Sequence, residues 1–256
     1  MKNAAESIDD VKAGGVRGLV AHEVTKSFGG VYAARDVSIS IGDREIVGLI
    51  GPNGAGKTSL MNAISGAIRF ESGQVLIDGE DIAGMSMDRC AQRGVARTFQ
   101  NIRVFSELTV LQNIQVAHAT ALRHRREHVS DAPDAILSRL GLATFSHRKA
   151  TTLAYGLQRR IEIARALALC PRVMLLDEPA AGMNEQETEA LMGTIRDLSA
   201  KNGIGILVID HDLRFIMTLC SRIYVMDAGQ VVAHDAPDAI RANPKVQEIY
   251  LGARTG

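Results

Sequence analysis

Residues 46–59 read IVGLIGPNGAGKTS and place an apolar segment directly before a glycine-rich loop. The apolar segment, residues 45–50, predicts a buried strand. Gly51–Thr58 then matches the pattern G-x-x-x-x-G-K-[ST], and Leu60, Met61 and Ile64 follow with helical spacing. Because strand, loop and helix occur in the required order, we interpret the loop as a phosphate-binding loop. The alternative is a glycine-rich turn that merely carries Lys-Thr.

The composition of this loop suits a nucleoside triphosphate. Its glycines allow tight turns and bring main-chain amides close to an anion. The helix that begins near Lys57 adds a partial positive charge at its N-terminus. We expect Lys57 to contact the β- and γ-phosphates and Thr58 to offer its hydroxyl to Mg²⁺. The predicted phosphate-binding residues are Gly51, Pro52, Asn53, Gly54, Ala55, Gly56, Lys57, Thr58 and Ser59.

Two further apolar segments end in residues that can act on phosphates. Residues 173–176 precede Asp177 and Glu178, and residues 206–209 precede His211. Open α/β sheets bind ligands at the carboxyl ends of their strands. We therefore expect Asp177 to hold Mg²⁺, directly or through water, and Glu178 to orient or deprotonate a water molecule. His211 is expected to contact the γ-phosphate, so the three strand ends together indicate triphosphate hydrolysis.

Composition limits the classes of partner and compartment. The 256 residues carry 29 acidic and 29 basic side chains, a balance that argues against a nucleic-acid partner. No run of eighteen apolar residues predicts a membrane span, and residues 1–17 lack the apolar region of a secretory signal, which indicates a frayed leader. Cys90, Cys170 and Cys220 show no paired spacing. We expect all three to be buried small hydrophobes in a reducing compartment.

The distribution of apolar segments predicts an α/β fold as a single domain over residues 18–256. Segments rich in Val, Ile and Leu alternate with helical patterns, which favours a largely parallel central sheet. The N-terminal strands and the hairpin around Asp227–Ala233 are expected to be antiparallel. Strand patterns disappear over residues 105–170, which predicts a helical subdomain between core segments 18–104 and 171–256. Its expected core residues are Leu108, Leu111, Ile114, Ile136, Leu137 and Leu140.

Two local patterns are more specific. Asn184 lies three residues before Glu187, the spacing of a capping box, and Asn202-Gly203 marks the end of the helix that follows. In RHRREH, residues 123–128, His124 and His128 have the spacing of metal ligands. The adjacent arginines would repel a cation, so a solvated basic surface is the favoured interpretation.

The order of Gly51–Thr58, Gln100, LAYGLQ at 153–158, Asp177-Glu178 and His211 resembles that of the ATP-binding-cassette (ABC) ATPases. The resemblance extends over residues 19–251. It implies a P-loop NTPase fold of the ABC nucleotide-binding type, with a mixed-sheet core, an antiparallel N-terminal β subdomain and an inserted helical subdomain. It also implies ATP and Mg²⁺ as cofactors.

The resemblance gives a role to the unusual start of the helix after residue 153. In this family two cassettes pair head to tail, and the helix start of one contacts the γ-phosphate held by the other. Ala154, Tyr155 and Gly156 are therefore expected to act on a second subunit's nucleotide. The family usually reads L-S-G-G-Q, so Ala154 lacks the serine hydroxyl and Leu157 replaces glutamine. Main-chain amides near Gly156 and the helix dipole remain as donors.

Three other positions match the family. Phe28 corresponds to the aromatic residue that stacks on adenine, although a core phenylalanine at a strand end is the alternative. Gln100 corresponds to the glutamine that contacts the γ-phosphate and Mg²⁺ and links them to the helical subdomain. Asn184 ends an inter-subunit loop in which the family usually has Asp.

Finer features resemble the ATP-binding subunits of bacterial branched-chain amino acid importers. They are RTFQNIRVF at 97–105, LLDEPAAGMN at 175–184 and PDAIRANPKVQEIYLG at 237–252. This resemblance implies an identical second cassette or, as we favour, a paralogue, together with integral membrane permease subunits and, indirectly, a periplasmic solute-binding protein. The location implied is the cytoplasmic side of the inner membrane. Alternatives are an importer of urea or amides, a non-transport ABC ATPase and a small-molecule kinase.

Overall fold

The structure, a computed structural model, describes residues 17–124 and 131–252. An antiparallel sheet contains β1 (Gly18–Phe28), β2 (Val31–Gly42), β4 (Ser72–Ile77) and β5 (Glu80–Asp81), in the order β2-β1-β4-β5. The N-terminal strands are therefore antiparallel, as predicted. The two-residue strand β5 has no pattern in the sequence that could have predicted it.

The second sheet is mixed and forms the centre of the molecule. Its strands are β3 (Ile46–Ile50), β6 (Val95–Arg97), β7 (Val173–Asp177), β8 (Gly205–Ile209), β9 (Arg222–Asp227) and β10 (Gln230–Asp235). The order is β10-β9-β3-β8-β7-β6, with β10 antiparallel and the other pairs parallel. This confirms the predicted fold class. Because β3, β8 and β7 are neighbours, their carboxyl ends meet at one edge of the sheet.

Helices cover both sheets and connect their strands. The α-helices of the described residues are α1 (Lys57–Ile64), α2 (Met87–Arg93), α3 (Val110–His124), α4 (Pro133–Arg139), α5 (Tyr155–Ala168), α6 (Glu185–Asn202), α7 (Leu213–Leu219), α8 (Pro237–Ala242) and α9 (Pro244–Gly252). Two short 3-10 helices lie at Ala143–Phe145 and Ala150–Thr152. In α3 to α5, Ile114, Ile136, Leu137 and Leu140 are buried. Leu108 is only half-buried, so its assignment to the core is wrong; Leu111 is also half-buried but packs against the larger apolar cluster.

The predicted capping box is present at the start of α6. Asn184 Oδ1 accepts a hydrogen bond of 2.9 Å from the Glu187 amide, and Glu187 Oε2 accepts one of 3.0 Å from the Asn184 amide. Gly203 ends the helix in the left-handed region with a φ of 72°. Both ends of this helix were therefore predictable from local sequence.

Several other predictions concern single segments. Cys90 and Cys220 are buried, and burial raises the pKa of the Cys220 thiol to about 12. Cys170 is half-buried, so the prediction that all three cysteines are core residues is wrong there. The proposed leader, apart from Arg17, and residues 125–128 of the basic stretch lie outside the described residues. Within the described ranges, no helix combines the length and apolar character needed to cross a bilayer.

Candidate functional site

The loop between β3 and α1 is held from behind by main-chain contacts. A Cβ atom on Gly51 would collide with the Met226 carbonyl, and one on Gly56 with the Ala33 carbonyl. Both glycines also have φ in the left-handed region, at 151° and 100°. The Gly229 amide donates a 3.1 Å hydrogen bond to Ala55 O. The glycine pattern therefore lets β2 and the β9–β10 turn approach the loop closely.

Side chains of the loop lie at the sheet edge. Lys57 Nζ donates to Gly51 O at 2.8 Å and to Pro52 O at 2.9 Å. Burial lowers the pKa of Lys57, and the charges of Glu178 and Asp177 oppose that shift. Lys57 is therefore within electrostatic reach of the carboxylates at the end of β7. The other loop residues differ in solvent exposure: Asn53, Gly54 and Thr58 are exposed, Ser59 is half-buried and Ala55 is buried.

Asp177 forms a buried ion pair that was not predicted. Its Oδ2 lies 3.1 Å from an Arg97 side-chain nitrogen, and only about 5% of either side chain is exposed. Arg97 also donates to Asn62 and, at 3.1 Å, to Ser65 Oγ. These contacts fix the carboxylate beneath the loop. In the sequence, Arg97 is part of a three-residue strand and shows no periodicity that would mark it.

Glu178 lies between two other predicted site residues. Gln100 Nε2 donates to Glu178 Oε2 at 3.4 Å, and His211 Nδ1 is 3.9 Å from the same oxygen. The His211 side chain is 72% exposed, so it is open to a ligand. Glu178 has a φ of 47°, a conformation that a non-glycine residue adopts at a cost of about 1–3 kcal/mol and that is common at active sites.

Asp210 supports this cluster and was also not predicted as a site residue. Its carboxylate accepts hydrogen bonds from the Ala180 amide at 3.3 Å and the Asp212 amide at 3.0 Å. Burial raises the pKa of Asp210, and these two hydrogen bonds oppose the shift. Asp210 therefore ties the loop after β7 to the end of β8.

The residues predicted to hold Mg²⁺ offer oxygen atoms of the kind this ion prefers. They are a hydroxyl from Thr58, a side-chain amide from Gln100 and a carboxylate from Asp177. No group of three or more His, Cys, Asp or Glu residues with metal-binding geometry occurs in the described ranges. A site of few protein ligands completed by phosphates and water suits Mg²⁺. Because Asp177 already pairs with Arg97, the fit is best for contact through water.

The start of α5 lies beside the loop that follows β7. Ala154 is the N-cap and its side chain makes no capping hydrogen bond, so the N-cap position leaves the helix start without a side-chain cap. A Cβ atom on Gly182 would lie 3.3 Å from the Tyr155 ring. A Cβ atom on Gly156 would lie 3.2 Å from Glu187 Oε1, the partner of the capping box. The phosphate-binding loop, in contrast, is contacted by β2 and the β9–β10 turn.

Leu157 departs from the family sequence for a visible reason. It is half-buried and packs against the larger apolar cluster, which includes residues of α3, α5 and the central sheet. Apolar packing therefore accommodates leucine where the family usually has glutamine.

Phe28 is not a core residue. It is 53% exposed at the end of β1, so the alternative interpretation as core is wrong. Lys26 Nζ lies 4.9 Å from the centre of its ring. Val31, the residue opposite Phe28 in β2, is also exposed. The aromatic ring is thus available to a ligand on the same side of the hairpin as Val31.

A groove lies between α2, residues 99–105, α3 and α5. Apolar residues that line it include Met87, Val95, Phe105, Val116 and Leu169. Phe105 and Val116 are each 43% exposed. The guanidinium of Arg103 lies 4.0 Å from the centre of the Phe99 ring, and that of Arg165 lies 4.3 Å from the centre of the Phe105 ring. The groove therefore combines an apolar surface with two arginines.

Comparison with known proteins agrees with this geometry. Residues 34–181 match the ABC transporter family, and residues 230–255 match the branched-chain amino acid ATP-binding cassette transporter family. The high-affinity branched-chain amino acid transport ATP-binding protein BraF of Pseudomonas aeruginosa is 37% identical over 243 residues, covering 90% of this chain and 95% of BraF. The protein of the corresponding name, LivG, from Escherichia coli K12 is 39% identical over 239 residues, covering 88% of this chain and 94% of LivG.

A solved structure supports the same assignment. The ADP conformation of MJ1267, an ATP-binding cassette of an ABC transporter, aligns with a TM-score of 0.81 and 30% identity. The alignment covers 92% of this chain and 98% of that structure. The chain therefore belongs to the ABC transporter family, as an ATP-binding subunit with ATPase activity.

Proposed function

We propose that this chain is the motor subunit of a bacterial importer of branched-chain amino acids, peripheral to the cytoplasmic side of the inner membrane. The observation that carries this proposal is the contact of Gln100 with Glu178. Gln100 precedes the helical part of the chain and lies within residues 99–105, the segment that borders the groove. A residue at the site of hydrolysis is thus continuous with a surface that a second protein can occupy.

In the proposed reaction, the amides of Gly51–Thr58 and the ammonium of Lys57 bind the triphosphate, while Phe28 stacks on adenine. Glu178 accepts a proton from the water that attacks the γ-phosphorus, and the bond from that phosphorus to the bridging oxygen breaks, so that ADP and phosphate leave. His211 donates a hydrogen bond to the γ-phosphate. Thr58, Gln100 and, through water, Asp177 would hold Mg²⁺, which neutralises developing phosphate charge when bound.

We further propose that each nucleotide is enclosed by two cassettes. The uncapped start of α5 is a helix N-terminus suited to an anion, and Tyr155 there is 44% exposed. Tyr155 lies against Gly182 of the loop after β7, whereas the chain's own phosphate-binding loop is contacted by β2 and the β9–β10 turn. Ala154–Gly156 therefore acts on a nucleotide in a second cassette, for which a paralogue is our preferred identity.

The groove between residues 99–105 and α3 is the proposed binding surface for a permease subunit. Its exposed Phe105 and Val116 suit the apolar face of a short helix, and the groove adjoins the segment that begins at Gln100. A shift of that segment on ATP hydrolysis would move the docked helix. This supplies a route from the nucleotide to the membrane.

The proposed substrate class depends on the relatives and on the C-terminal match. Both relatives are high-affinity branched-chain amino acid transport proteins by name, and residues 230–255 match the corresponding family. Urea or amides are the alternative solutes, because the solute is expected to contact the permease and its periplasmic binding protein only.

A reconstituted transporter tests this proposal. The chain, carrying an affinity tag, is purified with its membrane and periplasmic companions, and the complex is placed in vesicles that contain ATP. We expect ATP-dependent uptake of labelled leucine that a Lys57→Ala variant abolishes. Uptake of urea or acetamide instead of leucine would contradict the substrate class, and the absence of any membrane companion would contradict the transport role.

A further inference from the structure

Three polar side chains on one face of α5 form hydrogen bonds with the main chain of residues 99–103. Arg159, Glu162 and Arg165 follow one another at intervals of three residues. Arg159 donates to Phe99 O and, at 2.9 Å, to Gln100 O. Glu162 Oε1 accepts a 2.7 Å hydrogen bond from the Arg103 amide, and Arg165 donates to Arg103 O. The helix thus holds both ends of the segment that carries Gln100.

Arg159 makes a second connection, to the end of β7. Its guanidinium donates to Glu178 O at 3.2 Å, and its charge is paired with Glu162 Oε2 at 2.7 Å. The Arg159 side chain is fully buried. Its Nε has no hydrogen-bond partner among the described residues. The bonds made by the two terminal nitrogens therefore offset the cost of burying the charge, which constrains their acceptors to stay in place. One side chain therefore joins α5, the Gln100 segment and the residue proposed as general base.

The neighbouring arginine shows that this arrangement is specific to one position. Arg160 is only half-buried, and its guanidinium lies near Gly141, at the end of α4. It points away from residues 99–103. A helix that needed a charge only for solubility would place both arginines outward, as Arg160 is placed.

We infer that Arg159 is a positioning residue that couples the state of this chain's own nucleotide site to the start of α5. The inference rests on the proposed function. Gln100 and Glu178 respond to the bound triphosphate, and Arg159 holds the main-chain carbonyl of each. Tyr155 lies one helical turn before Arg159. A shift at the first nucleotide is thereby transmitted to the segment proposed to complete the second.

Hydrogen exchange of the isolated chain, dilute enough for sedimentation to show a monomer, tests the inference. In the unaltered chain, MgATP should slow exchange at residues 51–59 and also slow it at residues 154–158, by roughly fivefold. Arg159→Lys keeps a positive charge beside Glu162 but loses the planar guanidinium group that bonds several acceptors at once. In this variant, MgATP should still slow exchange at residues 51–59 but should no longer slow it at residues 154–158. Arg160→Lys is the matched control and should behave as the unaltered chain.

Each other outcome is informative. Slowing at 154–158 that persists in Arg159→Lys, or that never occurs in the unaltered chain, would overturn the inference while leaving the proposed function intact. No slowing at 51–59 would overturn the proposed function and the inference with it. If Arg159→Lys does not fold, the double variant Arg159→Met with Glu162→Gln removes both members of the buried ion pair together. That double variant should likewise lose the response at 154–158, and a retained response would overturn the inference.

Discussion

Arg97 and Asp177 are the last residues of the neighbouring strands β6 and β7 and form a buried ion pair, with 3.1 Å between nitrogen and oxygen. Asp177, the carboxylate expected to hold Mg²⁺, is thus already paired with the guanidinium of Arg97. Burial lowers the pKa of Arg97, and its hydrogen bond with Asp177 opposes that shift. The pair places a fixed positive charge next to the nucleotide site.

Removal of one partner should therefore be more harmful than removal of both. Arg97→Met leaves Asp177 buried without its hydrogen-bonded cation and should lower the free energy of unfolding by about 3–5 kcal/mol. Arg97→Met combined with Asp177→Asn should recover most of that loss. Denaturant unfolding of the two variants and the unaltered protein measures the coupling. Equal stability of Arg97→Met and the unaltered protein would show that the pair is not formed.

Glu178→Gln should abolish most hydrolysis without preventing ATP binding. A general base contributes about 10²–10⁴-fold to a rate, and glutamine keeps the shape but cannot accept the proton. Steady-state phosphate release and fluorescent-nucleotide binding are the measurements. Glu185→Gln changes an exposed glutamate of α6 and should keep the rate within about twofold. Near-normal turnover of Glu178→Gln would assign the base elsewhere.

Phe28→Ala should weaken ATP binding and leave stability almost unchanged, because the ring is largely exposed. Stacking on a base contributes about 1–3 kcal/mol, so the Kd should rise by roughly five- to 150-fold. Phe28→Tyr preserves the ring and should bind normally. Tyr32→Ala, on the other face of the hairpin, is the control. A melting temperature lowered by Phe28→Ala, with an unchanged Kd, would indicate a packing role instead.

Asn184→Ala should lower the melting temperature by about 2–4 °C, because loss of a capping side chain costs about 1 kcal/mol. Asn184→Asp keeps the acceptor for the Glu187 amide and should preserve stability. Thermal unfolding monitored by circular dichroism compares the two. A larger loss in the aspartate variant than in the alanine variant would show that the amide group of Asn184 has another structural role.

Local patterns made much of the fold and site predictable from the sequence. The loop Gly51–Thr58 and the strand ends at Asp177 and His211 depend on residues that are adjacent in the chain. The capping box of Asn184 is equally local. The edge of the central sheet then brings these separate motifs together, since parallel strands share a direction.

Long-range contacts were not predictable in the same way. Arg97 meets a carboxylate 80 positions away, and Arg159 meets carbonyls 59 and 60 positions away. Neither arginine belongs to an apolar period or a phosphate motif, and a sequence shows no sign that a guanidinium will be buried. Phe28 was ambiguous for the opposite reason, because an aromatic residue at a strand end packs inward or remains exposed according to its neighbours.

The proposed pairing of cassettes requires the start of α5 to complete the nucleotide site of another cassette. An experimental structure of the complex carrying Glu178→Gln, purified with its natural partners and loaded with MgATP, tests it most directly. We predict that a main-chain nitrogen near Tyr155 or Gly156 lies about 3 Å from a γ-phosphate oxygen bound to the opposing cassette. A closed, fully loaded complex in which this segment faces solvent would contradict the account.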